Sequence, residues 1–158
     1  MRRHDKEIRD RELIDSILAK ARVLRLGLCK DNRAYIVPVS FGYDGAFLYF
    51  HTAREGLKID YIRANPHVCF EAEHDVRVVE NKGDACLWTQ SFYSVIGYGT
   101  IEEITDAAGR VDALNRIMNH YSGRKWVFDE RRLEMTRLWR VSVDRVTGKR
   151  SGDETAPG

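Results

Sequence analysis

The segment Tyr49-Phe50-His51-Thr52-Ala53-Arg54-Glu55-Gly56-Leu57-Lys58 gathers the residue types best able to do chemistry in this chain. It reads as a strand that ends at His51 and feeds directly into a helix. Thr52 and Glu55 have the spacing of a capping box, in which two side chains satisfy orphan backbone donors. A helix N-terminus attracts anions, because its free N–H groups point outward and the dipole is positive there. Gly56 permits close backbone approach, and Lys58 puts a positive charge near the first turn. The combination suits a phosphate monoester, and it equally describes a well-capped surface helix with a solvated lysine. His51 has two readings as well: a structural or exposed strand-end imidazole, or an acid, base or ligand contact beside the helix end.

A second stretch, Tyr93-Ser94-Val95-Ile96-Gly97-Tyr98-Gly99-Thr100, places Val95, Gly97 and Gly99 on one strand face and Ile96, Tyr98 and Thr100 on the other. Two glycines on one face weaken a strand unless something must come close. A planar ligand or a tightly packed partner subunit would explain them, and so would a bulge or barrel corner. His4, His67, His74 and His120 show no metal-ligand spacing with each other or with Cys29, Cys69 and Cys86, so no metal site is expected.

The elements that position these residues follow from periodicity. Asp10 caps a helix to about Ala21, with Leu13, Ile14, Ile17 and Leu18 as its apolar stripe. The period then becomes two, leaving Leu24, Leu26 and Leu28 on the core face of a strand. A turn at 30–33 leads to a strand from Ala34 to Tyr43, in which Pro38 marks an edge or bulge. Asp44-Gly45 is a hairpin signal before a strand from Phe47 to His51. The following helix ends near Asn65-Pro66, and strands are expected over 67–73 and 91–104, with an irregular loop at 74–90 carrying Trp88. Asp106 caps a helix whose buried face is Val111, Leu114, Ile117, Met118 and Tyr121, ended by Ser122-Gly123. A short helical piece near 129–135 and a sixth strand from Leu138 to Val146 complete the order. Six strands joined largely by hairpins predict a mainly β fold, an antiparallel barrel with peripheral helices.

Composition narrows the class. The 158 residues suit one domain, and 43% hydrophobic content with 3 prolines excludes a disordered chain. Basic residues number 26 and acidic 24, a balance that argues against a nucleic-acid binder. The N-terminal Arg2, Arg3, Arg9 and Arg11 interleave with Asp5, Glu7, Asp10 and Glu12, which reads as a solvated charge run rather than a basic interaction module. No apolar run approaches the ~20 residues that span a bilayer, so no membrane partner is expected. Three scattered cysteines fit a reducing cytoplasm. Residues 1–10 read as a mobile charged arm, 1–149 as the folded domain, and 150–158 as a disordered tail.

Taken in order, YIVPVSFGYD (35–44), YFHTAREGLK (49–58), NPHVCFE (65–71), YSVIGYGTIE (93–102) and DRVTGK (144–149) resemble the flavin-binding split-barrel family typified by pyridoxamine 5′-phosphate oxidase. Within it the chain resembles the nitroimidazole-resistance (nitroimidazole reductase) branch, from about Arg2 to Lys149. The resemblance implies a six-stranded split barrel that binds FMN at the interface of a homodimer. It matches Lys58 to the family's phosphate lysine, and Phe50, His51 and Thr52 to the strand end over the phosphate and ribityl chain. Val37, Pro38, Val39 and Ser40 match the strand bordering the isoalloxazine edge, and Ser94 matches a polar position at the start of the fifth strand. His51 matches a histidine associated with the reactive site, and so carries over as the catalytic residue. The chain ends GKRSGDETAPG instead of the oxidases' Arg-Leu-x-Pro segment, and Ile36 replaces an arginine of the second strand, so oxidation of vitamin B6 phosphates is not implied. The implied activity is an FMN-dependent oxidoreductase acting on small nitro- or quinone-like acceptors. The alternative is an FMN-binding carrier or sensor without turnover.

Overall fold

The structure, a computed structural model, describes residues 4–152. Its strands are β1 (Glu7–Ile8), β2 (Leu24–Lys30), β3 (Arg33–Val39), β4 (Phe41–Tyr43), β5 (Phe47–Thr52), β6 (His67–Val79), β7 (Thr89–Ile104) and β8 (Arg137–Ser151). The helices are α1 (Arg11–Lys20), α2 (Leu57–Ala64), α3 (Ala107–Ser122) and α4 (Glu130–Glu134). One antiparallel sheet runs in the order β3-β2-β6-β7-β8-β5-β4, with β1 added on β8.

That order dictates a barrel. β3 and β4 lie at opposite ends of the hydrogen-bonded path, yet Ser40 alone separates them in the chain. Successive Cα atoms are only 3.80 Å apart, so the sheet must curl until its two ends meet at Ser40. The strand expected over 34–43 is therefore broken at its centre to form the seam. With β3 and β4 counted as one strand and the two-residue β1 set aside, six principal strands remain, as the hairpin pattern predicts. Pro38 lies on the open edge of β3, where a missing N–H costs no ladder bond.

The interior is built from one face of each strand. Leu24, Leu26, Leu28, Leu48, Phe50, Phe70, Val95 and Val141 are buried there, and Ile14, Ile17 and Leu18 of α1 pack against the same core. Asp10 caps α1 as expected, its carboxylate accepting from the N–H groups of Glu12 and Leu13. α3 packs on the outside of β4 and β5, burying Tyr49, Ala113, Ile117 and Leu138. Its buried stripe is rotated from the expected one, since Val111 is exposed. The cause is Gly42: a Cβ there would stand 2.5 Å from the backbone carbonyl carbon of Arg116, so helix and strand approach backbone to backbone.

Four expectations are corrected. The segment 74–90 is not a loop throughout, because β6 continues to Val79 and β7 starts at Thr89, making a long hairpin arm with a bulge between His74 and Arg77. The N-terminal segment is not free from Glu7 on: β1 pairs with Gly148 and Lys149, and Ile8 is buried. β8 extends to Ser151, so Arg150 and Ser151 belong to the sheet rather than to a tail. Residues 1–3 of the expected arm and 153–158 of the expected tail lie outside the described residues. Lastly, Gly97 and Gly99 face the chain's own interior. A Cβ on Gly97 would be 2.1 Å from Phe70 Cζ, and one on Gly99 would be 2.2 Å from the Ser142 carbonyl oxygen, where the β7–β8 register shifts. The glycine face is thus filled by the core and a bulge, leaving no room for a planar ligand or a partner subunit.

Candidate functional site

The seam collects most of the residues singled out above. Phe41 pairs with Phe50, which brings Ser40 beside His51 as the chain crosses from β4 to β3. On β5 the residues Leu48, Phe50 and Thr52 point inward, while Tyr49 and His51 share the outer face. α3 covers Tyr49 and stops short of His51, which stays exposed. The side chains of Phe50 and Thr52 are committed to the core. Thr52 Oγ1 accepts from Trp139 Nε1 at 3.0 Å and donates to the Ala53 carbonyl at 2.7 Å. What positions 50 and 52 offer outward is backbone.

Thr52 therefore caps nothing, and the capping box with Glu55 is not formed. α2 starts at Leu57 behind Gly56, which has no side-chain cap and a φ of 134°, a conformation that favours glycine. The turn between β5 and α2 is held instead by Arg137, whose Nε donates to the Arg54 carbonyl at 2.9 Å while its Nη1 bonds Glu103 Oε1 at 2.7 Å. No local sequence pattern reveals this tie, because it joins residues 83 apart.

Lys58 stands in the first turn of α2, half-buried, with no hydrogen-bond or ion-pair partner among the described residues. Burial lowers its pKa from the ordinary lysine value. His51 is also lowered, first by packing on its inner side and then by the positive charge of Lys58. The imidazole is open to solvent on one side, which limits the first effect but leaves its direction. Below the usual histidine pKa of about 6.5, His51 is neutral at pH 7. Lys58 and His51 together make a corner where an anion is welcome and an extra cation is not.

α2 is fixed beneath this corner by Ile59 and Ile62 in the core, and Tyr61 meets Tyr35 of β3 at 5.1 Å between ring centroids. The exposed Pro38 and Ser40 and the half-exposed Val37 lie along the open edge of β3, whereas Val39 is buried. Ser94 is not brought to the corner. It pairs with Glu73 and Lys149 on the outer face of β7, three strands from β3, or roughly 14 Å.

Residues 10–150 match the family model described as pyridoxamine 5′-phosphate oxidase. The chain belongs to the pyridoxamine 5′-phosphate oxidase family. Among solved relatives, it is similar to a candidate 5-nitroimidazole antibiotic resistance protein from Bacteroides thetaiotaomicron, at 30% identity and a TM-score of 0.80 over 90% of this chain and 85% of that one. It shares its fold with the flavocytochrome Anf3 from Azotobacter vinelandii, at 18% identity and a TM-score of 0.82 over 100% of this chain and 75% of that one. A curated relative, an uncharacterized protein of Rhizobium meliloti (strain 1021), is 34% identical over 64 residues, which span 40% of this chain and 42% of the relative. Membership of the pyridoxamine 5′-phosphate oxidase family accords with the antiparallel split barrel. No helix among the described residues is long and apolar enough to cross a membrane, and no cluster of three or more His, Cys, Asp or Glu could hold a metal ion there.

Proposed function

We propose that this chain is an FMN-dependent oxidoreductase that reduces small nitro- or quinone-like acceptors. The observation that carries the reading is Lys58, a half-buried cation with no carboxylate partner, set beside a neutral imidazole at a helix start. A buried charge without a partner is costly, and a phosphate monoester is the counter-charge that this corner lacks. When bound, the flavin supplies the electron-transfer chemistry.

The chain's own residues bind and orient. Lys58 holds the phosphate charge. The backbone of Phe50 and Thr52 flanks the phosphate and ribityl chain, and the edge of Val37, Pro38, Val39 and Ser40 borders the ring. Uncharged His51 holds or donates a hydrogen bond at the acceptor and is the proposed catalytic residue. The relative described as a 5-nitroimidazole resistance protein supports nitro compounds as the acceptor class.

Two copies complete the site in this proposal. Ser94 is too far from its own chain's corner, and a second copy is the route by which it arrives. The outer face that bears it also carries a row of Ile36, Gly27, Cys69 and Tyr98 across four strands, with Ile36 69%, Ile96 47% and Tyr98 43% exposed. This exposed row, flanked by the Arg25 ion pairs to Glu71 and Glu73, is suited to cover by a second subunit. The cysteines are free, and the reducing cytoplasm is the proposed compartment.

The visible spectrum of the purified protein, with its released chromophore identified, tests the cofactor. Steady-state NAD(P)H oxidation with an added nitro or quinone acceptor tests the activity. Released FMN with turnover is expected. FMN without turnover would leave a carrier or sensor, and release of FAD or haem would overturn FMN.

A further inference from the structure

The turn between β5 and α2 has little of its own to hold its shape. No backbone hydrogen bond closes the turn at 53–56 among the described residues, and Ala53, Arg54, Glu55 and Gly56 are all exposed. A Cβ on Gly56 would meet nothing within 4 Å, and Gly56 supplies no side-chain cap. The first backbone bond of α2 runs only from the Ile59 N–H to the Gly56 carbonyl, at 2.9 Å. Fixing a backbone segment costs conformational entropy, so the order of this turn must come from outside it. Yet the turn sets the direction of the free N–H groups of α2 and of Lys58, two residues beyond Gly56.

The first residues of β8 supply that order. Trp139 holds the Thr52 hydroxyl, which donates in turn to the Ala53 carbonyl at 2.7 Å. Arg137, the register partner of Thr52, takes the next carbonyl, that of Arg54, through Nε at 2.9 Å. Its Nη1 is held at 2.7 Å by Glu103 of β7, and the two side chains are only 25% and 29% exposed. The backbone leading into Arg137 is braced as well. Arg110 of α3 donates to the carbonyls of Leu133 and Thr136, the second at 2.9 Å.

We infer that Arg137 is a positioning residue for the phosphate corner, a role that rests on flavin binding at the seam. By fixing the Arg54 carbonyl it sets the start of α2, so that Lys58 and the free N–H groups meet a phosphate monoester without first ordering the turn. Glu103 balances the guanidinium charge, so Arg137 acts through the turn and not as a second cation on the ligand. The planar guanidinium holds a carbonyl and a carboxylate at fixed angles, which a single ammonium cannot do.

The test is fluorescence titration of the full chain, stripped of flavin, with FMN and with riboflavin, which differ only in the phosphate. Wild type should prefer FMN by about 10- to 150-fold, the range for a hydrogen bond to a charged group. Arg137→Gln should cut that preference by about 3- to 10-fold, the range for one ordinary hydrogen bond, and leave riboflavin unchanged. Arg137→Lys should lose nearly as much, since it keeps the charge without the fork. Hydrogen exchange at residues 54–58 of the flavin-free protein should quicken in both variants, with the cores of β7 and β8 unchanged. If Arg137→Gln does not fold, the same measurements on Arg137→Lys decide the question. An undiminished FMN preference, full retention by Arg137→Lys, equal losses of FMN and riboflavin, or unchanged exchange at 54–58 would each overturn the role of Arg137 and leave the phosphate corner standing. A wild type that binds FMN no tighter than riboflavin would overturn the phosphate corner itself, and the role of Arg137 with it.

Discussion

Burial lowers the pKa of both Lys58 and His51, and the positive charge of Lys58 adds to the lowering at His51. Lys58→Ala should weaken FMN by about 1.5–3 kcal/mol, or 10- to 150-fold in Kd, read by fluorescence titration. Burial lowers the Lys58 pKa, so the ammonium is lost at a lower pH than in an ordinary lysine. FMN affinity should accordingly fall as pH rises towards 10.5, and Lys58→Arg should move that fall upward. An affinity flat with pH in wild type would return Lys58 to the role of a solvated side chain. His51 runs the other way in acid. Its folded pKa lies below its unfolded value, so the folded state binds fewer protons between the two, and stability rises with pH there. The contribution is complete above about pH 6.5 and is lost as pH falls through the folded pKa. His51→Ala, measured fully flavin-loaded, should stay yellow and reduce acceptors far more slowly; a loaded mutant with wild-type turnover would remove His51 from catalysis.

Glycine contacts decide how the elements meet. Gly97 leaves the space that the Phe70 ring fills, and Phe70 is fully buried, so the ring cannot swing away. Gly97→Ala should destabilise the fold by roughly 1–3 kcal/mol, the usual cost of overpacking. Denaturant midpoints check this, and Phe70→Leu in the Gly97→Ala background should recover part of the loss. If Gly97→Ala alone is neutral, the interior at this point is looser than the contacts require. The alternating faces of β2, β5 and β7 are legible in sequence because a strand's period is two. The false capping box shows the limit of local patterns: Thr52 has the right spacing to Glu55, but Trp139, 87 residues away, takes its hydroxyl. The extent of β6, β7 and β8 was similarly hidden, since the hairpin arm draws its pairing from partners distant in sequence.

At the scale of the whole molecule, the prediction is a homodimer in solution. Its basis is now the exposed outer sheet face and the separation of Ser94 from the seam, not the glycine face. Sedimentation equilibrium should give a dimer, and Tyr98→Glu, which places a charge on that face, should shift it towards monomer and weaken FMN together. A wild-type monomer that still holds stoichiometric FMN would exclude the shared site.

The sequence by itself determined the family, the barrel class, the core faces of α1 and β2, and the neighbourhood of His51 and Lys58. Each of these rests on local periodicity or on short ordered motifs, which a linear chain displays directly. Tertiary structure alone decided that Ser40 is the seam, that Gly97 and Gly99 serve Phe70 and β8, and that Arg137 holds the turn before α2. These features depend on which distant backbones the closing sheet brings together, and strand periodicity carries no record of partner or register.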